Sequence, residues 1–184
     1  MPVEPTQLAR QLAAALEERG IEYAIGGALA LGFWGEPRGT LDVDVTLFVS
    51  PAQPANCAEL LLELGCDFDP VTVLDSLTEH GYCKVKNQET VIDVFWPIVD
   101  FYDAARSRRQ LVRLGDRRIW IWDAESLVVF KMMFFRRKDL ADVEQILRQR
   151  GALLDRDWIK AQLIKLYGLR DPRISAWNDL ISEQ

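Results

Sequence analysis

Three Asp-x-Asp pairs stand in this 184-residue chain, and only one of them resists a purely local explanation. Asp67 and Asp69 lie in Cys-Asp-Phe-Asp-Pro, where turn chemistry accounts for both. Asp155 and Asp157 precede Trp158-Ile159, the place of an N-cap and a first-turn acid. Asp42 and Asp44 instead interrupt the apolar run LDVDVTLFV. On a strand, residues two apart project from one face, so these carboxylates would sit side by side. Unshielded, they repel, and one of them has its pKa raised. A divalent cation removes the conflict. Hard oxygen ligands suit Mg²⁺, which is usually held by one or two carboxylates together with substrate phosphates. The competing reading of the same spacing is a solvent-facing sheet surface that does no chemistry.

Two neighbours bear on that choice. Gly26-Gly27 stands between a short strand and a helix, where absent side chains let a triphosphate approach backbone N–H groups and a helix N-terminus. A structural turn is the plainer explanation of such a pair. Asp93 interrupts a second apolar run, Thr-Val-Ile-Asp-Val-Phe-Trp, and burying it unpaired would be costly. If its strand lies beside the 41–49 strand, three carboxylates converge into a set able to hold two metals for in-line phosphoryl chemistry.

The elements that must position these groups are readable from periodicity. Residues 6–19 predict an amphipathic helix capped by Thr6 and stopped by Gly20, followed by a strand over 21–25 and a small-residue helix over 28–34. Residues 35–39 form a loop, and 41–49 is the clearest strand, with Val43, Val45 and Leu47 opposite Asp42, Asp44 and Thr46. Pro51 and Pro54 open a helix that runs to Gly65, and 71–80 is a short helix. Tyr82–Lys86 and Thr90–Trp96 pair around Asn87-Gln88-Glu89, and 110–122 is a hairpin turned at Gly115-Asp116. Helices then cover 124–135, 138–150, 156–168 and 173–181. The expected fold is α/β, a small mixed sheet flanked by helices, with an α/β core over 1–122 and a helical C-terminal part over 123–184 packed on it.

Composition narrows the chemistry further. At 49% hydrophobic and 27% charged residues the chain is an ordinary globule, and wholesale disorder is excluded. His80 is the only histidine, so mechanisms needing two imidazoles are excluded, and it reads as a surface or helix-end residue. Cys57, Cys66 and Cys83 lack metal or disulfide spacing and read as reduced, packed thiols. No apolar run reaches the ~18–20 residues of a membrane span, and the N-terminus lacks the apolar stretch of a secretory signal. The expectation is a cytoplasmic protein. The net charge of −6 conceals a basic segment: residues 106–150 carry 12 of the 22 Lys and Arg against 6 acids. Such a segment either faces a polyanion held near the carboxylates or forms a salt-bridged surface.

The string Gly26-Gly27-Ala28-Leu29-Ala30, followed by Arg38-Gly39-Thr40-Leu41-Asp42-Val43-Asp44-Val45, resembles the first motif of the DNA polymerase β-like minimal nucleotidyltransferases. Asp93 matches that family's third carboxylate. Val129-Phe130-Lys131, followed by Arg136-Arg137-Lys138-Asp139-Leu140-Ala141-Asp142, is similar to the C-terminal signature of the AbiEii-type toxin group. The resemblance covers about 21–50, 90–97 and 123–147, leaving 51–89 unmatched. It implies that Asp42 and Asp44 bind Mg²⁺ and the phosphates of an NTP, and that Asp93 completes a second metal site and takes the proton of an attacking hydroxyl. It further implies that Gly26 and Gly27 cradle the β- and γ-phosphates, that Arg38 and Thr40 brace the loop or touch the triphosphate, and that Lys131 contacts a phosphate. Arg136, Lys138, Asp139 and Asp142 read equally as an ion-pair network between two helices.

The function so implied is Mg²⁺-dependent transfer of NMP from an NTP to a hydroxyl on RNA or protein, in the manner of a toxin with an antitoxin protein as partner. The 106–118 and 131–138 segments lean toward RNA by charge. A small-molecule enzyme of the aminoglycoside-modifying kind is the first alternative, with Asp100, Tyr102 and Asp103 contacting a cationic acceptor. The second is a silent binding protein that keeps the fold without turnover.

Overall fold

The computed structural model describes residues 4–49 and 55–182. In chain order the elements are α1 (Pro5–Glu18), β1 (Glu22–Ile25), α2 (Gly27–Trp34), β2 (Asp42–Phe48), α3 (Ala55–Glu63), α4 (Pro70–His80), β3 (Tyr82–Asn87), β4 (Thr90–Phe95) and α5 (Phe101–Arg106). The hairpin β5 (Gln110–Leu114) and β6 (Arg117–Ile121) follows, and then α6 (Ala124–Phe134), α7 (Arg137–Arg150), a 3₁₀ turn over Gly151–Leu153, α8 (Arg156–Tyr167) and α9 (Pro172–Ser182). The expected mixed α/β architecture is present. Pro51 and Pro54, expected to open the third helix, lie outside the described residues.

Six strands form one sheet in the order β3-β4-β2-β1-β6-β5. β2 runs antiparallel to β1 and parallel to β4, with Asp44 opposite Asp93 in the register. The hairpin β3–β4 pairs Asn87 with Thr90, which leaves Gln88-Glu89 as a two-residue turn with Gln88 at φ 53° and sets Lys84 opposite Asp93. The alternation read from β2 holds: Val43, Val45 and Leu47 are fully buried on one face, which helps to fix register because a one-residue slip would send them to the other side. α1 packs against β1 and β2 through Leu8, Leu12 and Leu16, all buried.

α6 is buried nearly all round. Ala124, Leu127, Val128, Val129, Phe130, Lys131 and Met132 are each at most 8% exposed, as its evenly apolar sequence requires. Phe134 at its end is half-exposed. Asp123 caps the helix by accepting from the Ser126 N–H at 3.0 Å. The C-cap is Phe135 in the left-handed region at φ 56°, with the Arg173 guanidinium 5.1 Å from its ring. This turn sends the chain directly into α7, which packs against both α6 and α2.

Two sequence expectations fail locally. Thr6 does not cap α1: the helix begins at Pro5, whose preset φ and missing N–H suit the first helical position, and Glu4 is its N-cap without a side-chain bond. α5 lies in a stretch given no element, since six residues are too few for periodicity to declare a helix. Phe101, Tyr102 and Ala105 anchor it to the core. The cap expected at Asp155 is met, and Asp69, read as a turn residue, is a cap as well. Asp69 accepts from the Thr72 N–H and Asp155 from the Trp158 N–H, each at 2.9 Å.

Candidate active site

The polar face of β2, the facing residues of β3 and β4, and the start of α2 form the floor of a cleft of about 580 Å³, roofed by α6 and the α6–α7 corner. Its lining includes Gly26, Gly27, Arg38, Asp42, Asp44, Asp93 and Lys131, seven of the eight residues singled out from sequence. Thr40 is the exception. It hydrogen-bonds the Asp42 carboxylate, and the Asp42 N–H donates back to its hydroxyl at 3.3 Å, so Thr40 braces the first carboxylate from outside the cleft.

Asp44 and Asp93 are register neighbours on adjacent parallel strands, and Asp42 stands two residues along β2 on the same face. Burial first, then the nearby charges of Asp42 and Asp93, push the Asp44 carboxyl up to about 6. The Asp93 Oδ1 accepts from the Tyr82 hydroxyl at 2.6 Å and lies 3.3 Å from the Lys84 ammonium. Burial, followed by that hydrogen bond to Asp93, raises the Tyr82 phenol above its ordinary value.

Gly26 and Gly27 meet a constraint that their sequence did not disclose. Gly26 donates its N–H to the Asp44 carbonyl at 2.9 Å. Gly27 sits at φ +54°, and a Cβ there would fall 1.7 Å from the Asp44 Oδ2. The second glycine therefore makes room for the Asp44 carboxylate at the N-terminus of α2, where the helix dipole favours negative charge.

Between the cleft and α7 lies a chain of charges. The Arg38 Nε and Nη2 meet Asp142 at 3.1 and 3.2 Å, and the Lys131 Nζ meets the same carboxylate at 2.6 Å. Lys131 is also 3.8 Å from Asp139, which accepts from the Arg136 Nε at 2.6 Å. Burial pushes the Asp142 carboxyl up, but the hydrogen bonds of Arg38 and Lys131 outweigh it and hold the group below the usual carboxylate range. The network reading is realised for Arg136, Asp139 and Asp142, with Lys131 in it and still on the cleft lining, but Lys138 makes no ion pair among the described residues and lines the cleft instead.

Four of the six arginines of the basic 106–118 segment are likewise paired, while Arg113 and Arg118 have no acidic partner among the described residues. Arg106 and Arg109 both bind Glu22, Arg117 binds Glu17, and Arg108 bridges Asp123 at 2.7 Å and Glu125 at 3.1 Å. Of the residues expected to contact a cationic acceptor, Tyr102 lines the cleft while Asp100 and Asp103 do not. His80 ends α4, largely exposed, at the cleft edge. All three cysteines are free and buried.

Sequence reasoning missed Tyr82, Lys84, Phe95, Phe134 and Lys138 as cleft residues. The signal for Lys84 was present: counting outward from a two-residue turn at 88–89 sets it opposite Asp93. Nothing local marks Phe134, because its position depends on how α6 crosses the sheet.

As they stand, no three acidic, histidine or cysteine side chains among the described residues are gathered closely enough to hold a metal ion. The donor set nevertheless fits one. Three carboxylates on one sheet face, with the Asp44 pKa raised first by burial and then by its acidic neighbours, are the hard oxygen ligands that Mg²⁺ takes. Thr40 engages one oxygen of Asp42, and Tyr82 and Lys84 engage one oxygen of Asp93, which leaves a second oxygen on each for a metal.

This assembly, a mixed sheet presenting carboxylates beneath a glycine-started helix, is the nucleotidyltransferase fold. The solution structure of the antibiotic-resistance factor ANT(2'')-Ia superimposes with a TM-score of 0.64 at 15% identity, over 91% of this chain and 95% of that one. The crystal structure of ANT(2'')-Ia in complex with adenylyl-2''-tobramycin gives 0.60 at 13% identity, over 95% and 97%. The lincosamide adenylyltransferase LnuA, lincomycin-bound, gives 0.53 at 12% identity, over 76% and 94%. Neither a protein-family model nor a curated protein sequence matches the chain. Among the described residues no helix is long and apolar enough to cross a membrane.

Proposed function

We propose that this protein is an Mg²⁺-dependent nucleotidyltransferase that moves NMP from an NTP to a hydroxyl of a small-molecule acceptor, releasing pyrophosphate. The observation that carries the reading is the row of carboxylates: Asp42 and Asp44 on β2 and Asp93 on β4, on one face of a cleft that begins at Gly26-Gly27. The metal, when bound, would supply positive charge against the triphosphate and the developing pyrophosphate. Asp42 and Asp44 would hold it, with Asp93 completing the set.

The chain's own groups account for the rest. The α2 N-terminus, from Gly27 onward, offers N–H groups to phosphate oxygens, whereas the Gly26 N–H is already given to the Asp44 carbonyl. Asp93 takes the proton of the attacking hydroxyl. Its Oδ1 is held by Tyr82 and Lys84, and its Oδ2 has no partner among the described residues. Asp142 holds Arg38 and Lys131 beside the triphosphate seat. The likeness to structures holding adenylyl-2''-tobramycin and lincomycin supports a small acceptor. So does the internal pairing of four of the six arginines of 106–118, which weakens the charge argument for RNA.

The test is transfer of label from each α-labelled NTP, with Mg²⁺, into a panel of hydroxylated small molecules, into total RNA and into protein, with Asp42→Asn/Asp44→Asn as control. Product with the intact carboxylates only is the expected result. Label entering RNA or protein would restore the toxin-type reading, with an antitoxin as its natural partner. Nucleotide binding without any product would favour the silent binding protein.

A further inference from the structure

The cleft divides into two flanks on either side of the carboxylate row. Gly26-Gly27 lies toward β1, on one side of β2, while β4 and β3 extend the floor on the other. On that far flank the lining is aromatic. The Tyr82 and Phe95 rings are 5.1 Å apart, and Phe95 meets Phe134 edge-on at 6.0 Å. Phe134 is 49% exposed, and the Arg136 guanidinium lies 4.9 Å from its ring centre. Large apolar surface left facing a cleft is costly in water and marks a place where a ligand's apolar body docks.

The charges of the cleft are as one-sided as its rings. Apart from Asp42, Asp44 and Asp93, no carboxylate among the described residues lines it, whereas Lys84 and Lys138 do, together with Arg38, Lys131 and Arg136, which are paired with Asp142 and Asp139 behind the lining. Once the three aspartates hold a metal, a cationic acceptor has no carboxylate left to meet and faces Lys84 and Lys138 instead. The sheet order puts this flank on the side of Asp93 away from the phosphate-binding backbone, which is where an acceptor hydroxyl must enter to lose its proton to Asp93.

We infer that the acceptor is a flat hydroxyl compound without positive charge, its ring seated against Tyr82, Phe95 and Phe134, and that polycationic acceptors of the tobramycin kind are rejected. The inference rests on the nucleotidyl-transfer reading and deepens it by naming the acceptor class.

Calorimetric titration tests it with probes sharing one ring: 2-naphthol, 6-hydroxy-2-naphthoate and 6-(aminomethyl)-2-naphthol, with tobramycin alongside. Each is titrated into the full chain saturated with Mg²⁺ and a non-reacting NTP analogue. The expected result is that the neutral and anionic naphthols bind at least about tenfold tighter than the cationic one and than tobramycin. Phe134→Ala, at a half-exposed position, should weaken 2-naphthol about tenfold or more and leave the nucleotide affinity unchanged. Lys138→Glu should narrow the discrimination against the cationic ring. Equal or tighter binding of the cationic probes overturns the inference, as does an unchanged 2-naphthol affinity in Phe134→Ala. So does competition between 2-naphthol and the nucleotide with both weakened by Phe134→Ala, since the wall would then seat the base. If the nucleotide binds and no naphthol does, the acceptor assignment alone falls. If the Mg²⁺–nucleotide complex itself fails to bind, the transfer reading falls and takes the acceptor assignment with it.

Discussion

Lys131→Met separates two roles for a lysine that lies both on the cleft lining and in a buried ion-pair network. Its side chain is 7% exposed, and the two carboxylates it faces, Asp142 and Asp139, are 4% and 0% exposed. Removing one member of such a group strands charge out of water, which costs about 3–5 kcal/mol when nothing else compensates. Here something does: Asp142 keeps Arg38, and Asp139 keeps Arg136. The expected loss for Lys131→Met is therefore about 2 kcal/mol, below that range. Asp142→Asn should cost more, about 3 kcal/mol or above. It leaves Lys131 with only Asp139 at 3.8 Å and Arg38 with no carboxylate partner. The double variant should lose about 1–2 kcal/mol less than the sum of the two singles, because the stranded ammonium is gone. For a chain of this length each kcal/mol moves Tm by about 2–4 °C, so Asp142→Asn should melt roughly 6–12 °C lower. Urea unfolding followed by far-UV circular dichroism measures all three. A Lys131→Met variant as stable as the parent, with Mg²⁺–NTP affinity reduced tenfold or more, would refute the structural reasoning and make Lys131 a phosphate ligand alone.

Three further outcomes are expected. Gly27→Ala places a methyl where the Asp44 Oδ2 lies and forces a left-handed φ on an L-residue, itself about 1–2 kcal/mol, so Mg²⁺–NTP binding should vanish while a cooperative thermal transition persists at lower Tm. Glu22, whose carboxyl is lowered to about 2 first by the Arg106 hydrogen bond, contributes stability that is complete above about pH 4.5 and lost as the pH falls toward 2. The stability gap between the parent and Glu22→Gln should close over that window in acid titrations, and a gap that persisted at pH 2 would contradict it. Burial pushes Cys57, Cys66 and Cys83 up to about 12, 11 and 12. Iodoacetamide at pH 8 should leave the native protein unmodified and label all three thiols in urea. Since unfolded thiols ionise from about pH 9, stability should decline above that value.

Much of this protein was legible in one dimension. Alternation over LDVDVTLFV placed Asp42 and Asp44 on one face opposite Val43, Val45 and Leu47, because a strand's period of two depends on the backbone alone. Asp155 was legible as a cap because a cap's partner lies within three residues, and Asp69 and Asp123 act in the same local way. The apolar run of α6 announced burial on several sides without saying against what. What lay beyond local reading was every relation that joins distant segments. That Asp93 stands beside Asp44 depends on a parallel pairing of β2 with β4 across a crossover of more than forty residues, and sequence could pose it only as a condition. Gly27 reads as a phosphate cradle until Asp44, seventeen residues on, is found against it. The arginines of 106–118 look like a free basic surface in a charge count. Four of the six, Arg106, Arg108, Arg109 and Arg117, are paired with Glu17, Glu22, Asp123 and Glu125, two of which lie 84 to 100 residues upstream. Composition records how many charges a chain carries. Only packing decides which of them face each other, because a charge's partner is set by distance in space and not by separation along the backbone.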